Sequence, residues 1–252
     1  MIHAMSGDEA IRRRHVVLSP GTGVAHWGSE YFGERWPDES VPASASPQAL
    51  MAELSADETV LAHFHGVTQF QVFAAGSGVM GRNDVQPLTI QFKDHHTAYG
   101  PVIAGPQGLT FFTMRMKTAN ASPVYLNKPG YKEKLQPSKR RNLLSPRINF
   151  STEPVLMNRT DAVWEPVSPY DQFDDGLAAH VVRLGAGKSV MGPDPEKSSG
   201  HYLFVGNGNL DLAGENFPLW SMVVVTREEK AMEIKAGDKG LEVLVLEFPI
   251  EE

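Results

Sequence analysis

A chain of 252 residues is long enough for one large domain or two small ones with a substantial core. Its formal charge of −7 opposes general affinity for nucleic acid or an anionic membrane. It has no cysteine, which excludes disulfides, zinc ribbons and thiol catalysis, so any metal must be held by nitrogen and oxygen.

Met1 to Ala10 carries no apolar core of signal-peptide type, and no stretch approaches membrane-spanning length, so a cytoplasmic location is the expectation. Residues 1–58 are mixed in character. The run Arg12-Arg13-Arg14 reads as a solvated terminus at this net charge, and His15 to Leu18 reads as an edge strand. The aromatic-rich segment from Gly28 to Trp36 leads into a Pro/Ala/Ser loop from Pro37 to Pro47. Ser46-Pro47 then reads as the start of a short helix over Gln48 to Leu54.

From Thr59 to Lys117 the pattern is β throughout. Thr59 to His65, Gln69 to Ala74, Leu88 to Phe92 and Leu109 to Met116 are short strand-like runs separated by Gly, Pro and Asn. Such spacing predicts a sandwich or barrel. Residues 118–160 form a polar connection carrying Lys128, Lys132, Lys134, Lys139, Arg140, Arg141 and Arg147, read as solvated charge. Strand patterns return at Ala178 to Leu184, Tyr202 to Val205, Leu219 to Val225 and Leu241 to Phe248. The turn Gly105 to Leu109 recurs as Gly237 to Leu241, a shift of 132 residues that lays Gly76 on Gly208 and Gln69 on His201. The same shift puts His63 on Pro195, His65 on Lys197 and His96 on Glu228, so the second copy keeps the turns and loses the histidine pair. The expected organisation is an all-β chain of two barrels. It divides into an N-terminal segment packing on the barrels (1–58), a first barrel (59–117), a linker (118–160) and a degenerate second barrel (161–252).

Chemistry concentrates between His63 and His96. On a strand, His63 and His65 project from one face while Phe64 points the other way. Two imidazoles on one strand face, followed by a returning strand headed by Gln69, make a metal-site pattern. His95-His96 offers a third imidazole, with His96 as first choice and His95 as second. Gln71 shares the strand parity of Gln69 and could orient a ligand or substrate. Tyr99 could donate to a substrate oxygen. Arg115 alternates with Phe111 and Thr113 and, on an interior face, could hold a carboxylate.

The run His63-x-His65, Gln69, Gly76 resembles the first motif of the cupin superfamily, in which Glu usually stands where this chain has Gln69. The second motif is matched only by a histidine near the right distance. The resemblance implies two jelly-roll barrels, a bicupin, with one live metal site in the first. Its metal ligands would be His63, His65, Gln69 and His96, with Gln71, Tyr99 and Arg115 as catalytic candidates. The cofactor would be one divalent transition ion: iron first, with nickel, manganese, zinc or copper as the others. A three-histidine centre leaves the full dipositive charge on the ion and favours chelating oxygenated anions. A non-haem dioxygenase of an enolisable carbonyl or phenolic substrate is therefore the leading expectation. A non-redox isomerase or lyase and a non-catalytic ligand-binding bicupin are the alternatives. Expected partners are a small-molecule substrate and a second copy of the chain, since exposed jelly-roll edges favour dimers.

Overall fold

The computed structural model describes residues 2–19, 21–35, 46–118 and 122–250. The greater part of the expected Pro37 to Pro47 loop lies outside them. Alternating side chains that can bury one or both faces make strands the main regular element, and among the described residues the helices are short, Gly7–Arg12 and Glu153–Met157 with single 3-10 turns. No helix among the described residues is long and apolar enough to cross a membrane.

The chain gathers into two compact units, Arg13–Ile148 and a second made of Met1–Arg12 with Asn149–Glu252. This differs from the expected division at residues 58, 118 and 160. Residues 13–58 supply three strands of the first unit's own sheet, and residues 142–144 close its far side. The first strand of the chain, Ile2–Met5, pairs instead with Met222–Thr226 of the second unit.

In the first unit the antiparallel order is Asn142–Leu144, Thr89–Lys93, Gln69–Met80, Val102–Arg115, Gln48–Leu54, Ala25–Phe32 and His15–Leu18, so His15–Leu18 is an edge strand as expected. Gln48–Leu54 is a strand, not a short helix. Its residues pair from Leu54↔Leu109 to Gln48↔Arg115, and Leu54 and Ala52 enter one apolar cluster with Phe73, Val102 and Phe111. Tertiary pairing overrides a stretch whose Ala, Leu, Met and Glu favour helix by local propensity.

The second unit repeats this ladder with Ile2–Met5, Met222–Thr226, Gly200–Leu212, Glu233–Glu247, Ala178–Leu184 and Val163–Pro166. Its interior is packed with Val182, Leu184, Leu203, Val205, Val223, Val225, Val243 and Val245. The 132-residue shift holds at the turns. Gly76 and Gly208 have φ of 71° and 69°. A Cβ on either would stand 2.1 Å from a carbonyl oxygen, that of Gly108 or Gly240. Only glycine fits both demands.

Candidate functional site

The site grows from one rung of the first unit's sheet. Gln48 lies opposite Arg115, and Gln69 lies opposite Lys93. Met114 opposite Phe70 puts Arg115 beside Gln69 in the next place along the ladder. Four polar side chains, Gln48, Arg115, Gln69 and Lys93, therefore project to one side at one level of neighbouring strands. All four are buried. The level above holds Gln71 opposite both Thr113 and Gln91.

Burial forces these groups to satisfy one another. Arg115 donates through Nε and Nη2 to Gln69 Oε1 at 3.0 and 2.8 Å, and through Nη1 to Gln48 Oε1. Its Nη2 also donates to His65 Nε2 at 3.2 Å. A guanidinium can only donate, so this imidazole presents its Nε2 lone pair to Arg115. Gln69 Nε2 donates to the Tyr99 hydroxyl at 3.1 Å, which fixes the amide with its oxygen toward Arg115. Lys93 Nζ donates to Gln71 Oε1 at 2.7 Å and lies 3.1 Å from the centre of the Tyr99 ring. Gln71 Nε2 in turn donates to Thr113 Oγ1 at 3.3 Å. Burial, with Arg115 nearby, holds the Lys93 amine well below the usual lysine range. Burial also pushes the Tyr99 phenol up to about 12.

His63 and His65 stand edge to face with ring centres 4.9 Å apart, as their spacing predicts, and both rings lie beside Tyr99. His63 Nδ1 donates to the Leu61 carbonyl at 2.6 Å, which leaves its lone pair on Nε2. Burial lowers its pKa to about 3, so the ring is neutral.

His96 does not join them. Its ring packs on Phe64 at 5.6 Å and on His95 at 5.3 Å, whereas the pair contacts Tyr99 and Tyr125. Two local causes place it there. Asp94 is anchored by a bidentate contact with Arg141, at 2.9 Å to Nη2 and 3.0 Å to Nε, and His96 itself turns through φ 54°. The ring thus falls on the Phe64 side of the strand. Arg141, expected in a solvated run, is one of the side chains that hold it there.

These groups border a cavity of about 70 Å³, room for several waters or a small ligand. His63, His65, Gln71, Tyr99, Thr113 and Arg115 line it together with Ser19, His26, Arg35 and Tyr125. Leu50, Leu54, Val60, Val102 and Phe111 supply apolar lining. Among the described residues no carboxylate lines it. Behind the lining, His26 contacts Glu58 at 3.1 Å and Arg35 contacts Glu30 at 2.7 Å.

The expected metal ligands do not fit a resident ion. Of the four, His96 faces elsewhere, and the donor atoms of His65 and Gln69 both engage Arg115. A dication at that point would also face the guanidinium at close range. Among the described residues no three His, Asp or Glu side chains converge to hold a metal. Of the sequence candidates, His63, His65, Gln69, Gln71, Tyr99 and Arg115 come together. Gln48, Lys93, His26, Arg35 and Tyr125 were not foreseen. The alternation Thr89, Gln91, Lys93 was the one local sign, since polar residues at every second place mark a strand with a polar face.

No family profile matches the sequence, and no curated protein is detectably similar to it. Solved structures are similar over the full chain. Nickel-bound pirin YhhW of Escherichia coli has 13% identity and a TM-score of 0.56, with all of both chains covered. A Nostoc punctiforme protein provisionally named a dioxygenase has 9% identity and a TM-score of 0.61, covering 100% of this chain and 84% of that one. Oxalate decarboxylase of Bacillus subtilis, known for its Mn(II) centres, has 10% identity and a TM-score of 0.58, covering 99% and 78%. At such identities the likeness establishes architecture and leaves the chemistry to the residues themselves. Two antiparallel barrels in tandem, matched end to end by these proteins, give this chain the bicupin fold.

Proposed function

We propose that the Arg13–Ile148 barrel is a binding site for a small organic oxyanion, a carboxylate in first place. The supporting observation is the charge of the cavity's lining. Two guanidinium groups, of Arg115 and Arg35, line it beside His26, His63, His65 and Thr113 with no described carboxylate among them, and apolar side chains complete the lining. A buried guanidinium strengthens a charge-assisted contact, and the apolar lining favours a ligand with a compact hydrocarbon body. Tyr99, Gln69 and Gln71 act by holding the polar groups in place. This is the ligand-binding bicupin of the three sequence-based expectations.

The test is a thermal-shift panel of small aliphatic and aromatic carboxylates, with matched amides as uncharged controls. The expected result is concentration-dependent stabilisation by one class of carboxylate and none by its amide. Equal shifts with acid and amide, or none across the panel, would overturn the proposal. A second reading, a metal-dependent dioxygenase, is favoured by the close approach of His63 and His65. Oxygen uptake by iron-supplemented protein, abolished in the His63→Ala/His65→Ala variant, would support it.

A further inference from the structure

The residues of the first barrel disagree with a metal centre in a specific way. Gln69 Oε1 and His65 Nε2 are the lone pairs that a metal in this barrel would use, and both converge on the guanidinium of Arg115. Gln48 Oε1 makes a further acceptor to it from the neighbouring strand. We infer that Arg115 takes the place of the metal ion: a fixed, covalently held cation occupies the coordination point and keeps transition metals out.

Three features carry this. First, a guanidinium needs acceptors, and the rung supplies neutral ones. Gln stands at 69 where an anionic ligand would favour a dication, and Gln48 and His65 complete the set. Second, Tyr99 fixes the Gln69 amide with its oxygen inward, so the acceptor set is built and not incidental. Third, Lys93 lies opposite Gln69 in the same rung, so the buried row places a second basic side chain beside the acceptors of Arg115. The chemical consequence is a site that attracts anions and has no redox centre of its own. The inference goes beyond the proposed oxyanion binding and draws on it only for the ligand's charge.

The experiment titrates chelator-treated, untagged protein with Ni²⁺ alone, followed by equilibrium dialysis and elemental analysis. Four proteins are compared: wild type, Arg115→Ala, Arg115→Gln and Arg115→Ala/His65→Ala. Circular dichroism melts confirm that each is folded. Wild type should retain no stoichiometric nickel. Arg115→Ala, which frees the lone pairs of His65 and Gln69, should bind it at least about 100-fold more tightly. The added His65→Ala change should remove that gain. Arg115→Gln supplies a second folded variant if Arg115→Ala melts early, and it should gain affinity in the same direction.

Tight one-to-one nickel binding by wild type would overturn the inference. So would folded Arg115→Ala and Arg115→Gln proteins that bind no better than wild type, or a gain that survives loss of His65. The carboxylate panel is read separately: a failed panel with a nickel gain in Arg115→Ala rejects the anion proposal and leaves the replacement intact.

Discussion

The two barrels place different chemistry on one equivalent rung. In the first, Gln48, Arg115, Gln69 and Lys93 stand abreast. In the second the corresponding row is Ala178, Glu247, His201 and Val225. A cation has been exchanged for an anion, an amide for an imidazole and a buried lysine for a valine, on backbones whose turn glycines superimpose in φ and in contact. The difference teaches that the ladder sets where side chains meet, while a handful of interior choices decides whether that end of the barrel is a site or a core. In the first barrel every one of the four polar groups has a partner. In the second, His201 is fully buried with neither ring nitrogen hydrogen-bonded.

The sharpest way to break that contrast is to move the lysine across it. Val225 packs among Val223, Val243, Val245 and Leu203, with none of the Gln71 and Tyr99 contacts that Lys93 enjoys. Val225→Lys should cost about 4 kcal/mol or more, because an amine must be buried or neutralised in an apolar interior whose nearest opposite charge in the row, Glu247, lies two strands away. Chemical denaturation of the two proteins measures it, and a loss below about 1 kcal/mol would mean the second interior tolerates charge.

Next comes His201. Burial holds its pKa down at about 4, below the ordinary 6.5, with Glu247 opposing weakly. As pH falls the unfolded chain binds this proton first. The neutral buried ring therefore contributes stability that is present above pH 6.5 and drains away toward pH 4. Wild type should lose roughly 3 kcal/mol more than His201→Leu across that window. At neutral pH His201→Leu should be as stable as wild type or more so, since it removes two unsatisfied nitrogens. Parallel stability–pH curves for the two proteins would contradict this assignment.

The smallest effect tests where the halves are alike. Gly76→Ala and Gly208→Ala meet the same carbonyl clash at the same positive φ, so each should destabilise by about 2 kcal/mol. The two losses should agree within about 1 kcal/mol. Melting curves that separate them widely would show that the shared turn is not equally important in both barrels.

How much of this was legible in the sequence follows from what is local. The repeat could be read because glycines at close backbone approaches recur at fixed distance, as Gly76 and Gly208 do. The His63–His65 pair could be read because strand parity is a two-residue rule. Arg115 could be placed on a face with Phe111 and Thr113 but not given its partners. Gln48 and Gln69 lie on strands beginning at residues 48 and 69, and only the register brings them abreast of it. Lys93 was hidden for the same reason. His96 was misplaced because sequence distance says nothing of the Asp94–Arg141 clamp that turns the chain just before it. Gln48–Leu54 was misread because both its faces are buried, which erases the polar alternation that distinguishes a strand.

The central claim is that a guanidinium, not a metal, is the cation of the first barrel. Elemental analysis of untagged wild-type protein, purified without chelator or added metal, addresses it most directly. The account predicts far less than one equivalent of any first-row transition metal per chain. One full equivalent of iron, nickel or manganese, lost in the His63→Ala/His65→Ala variant, would contradict it.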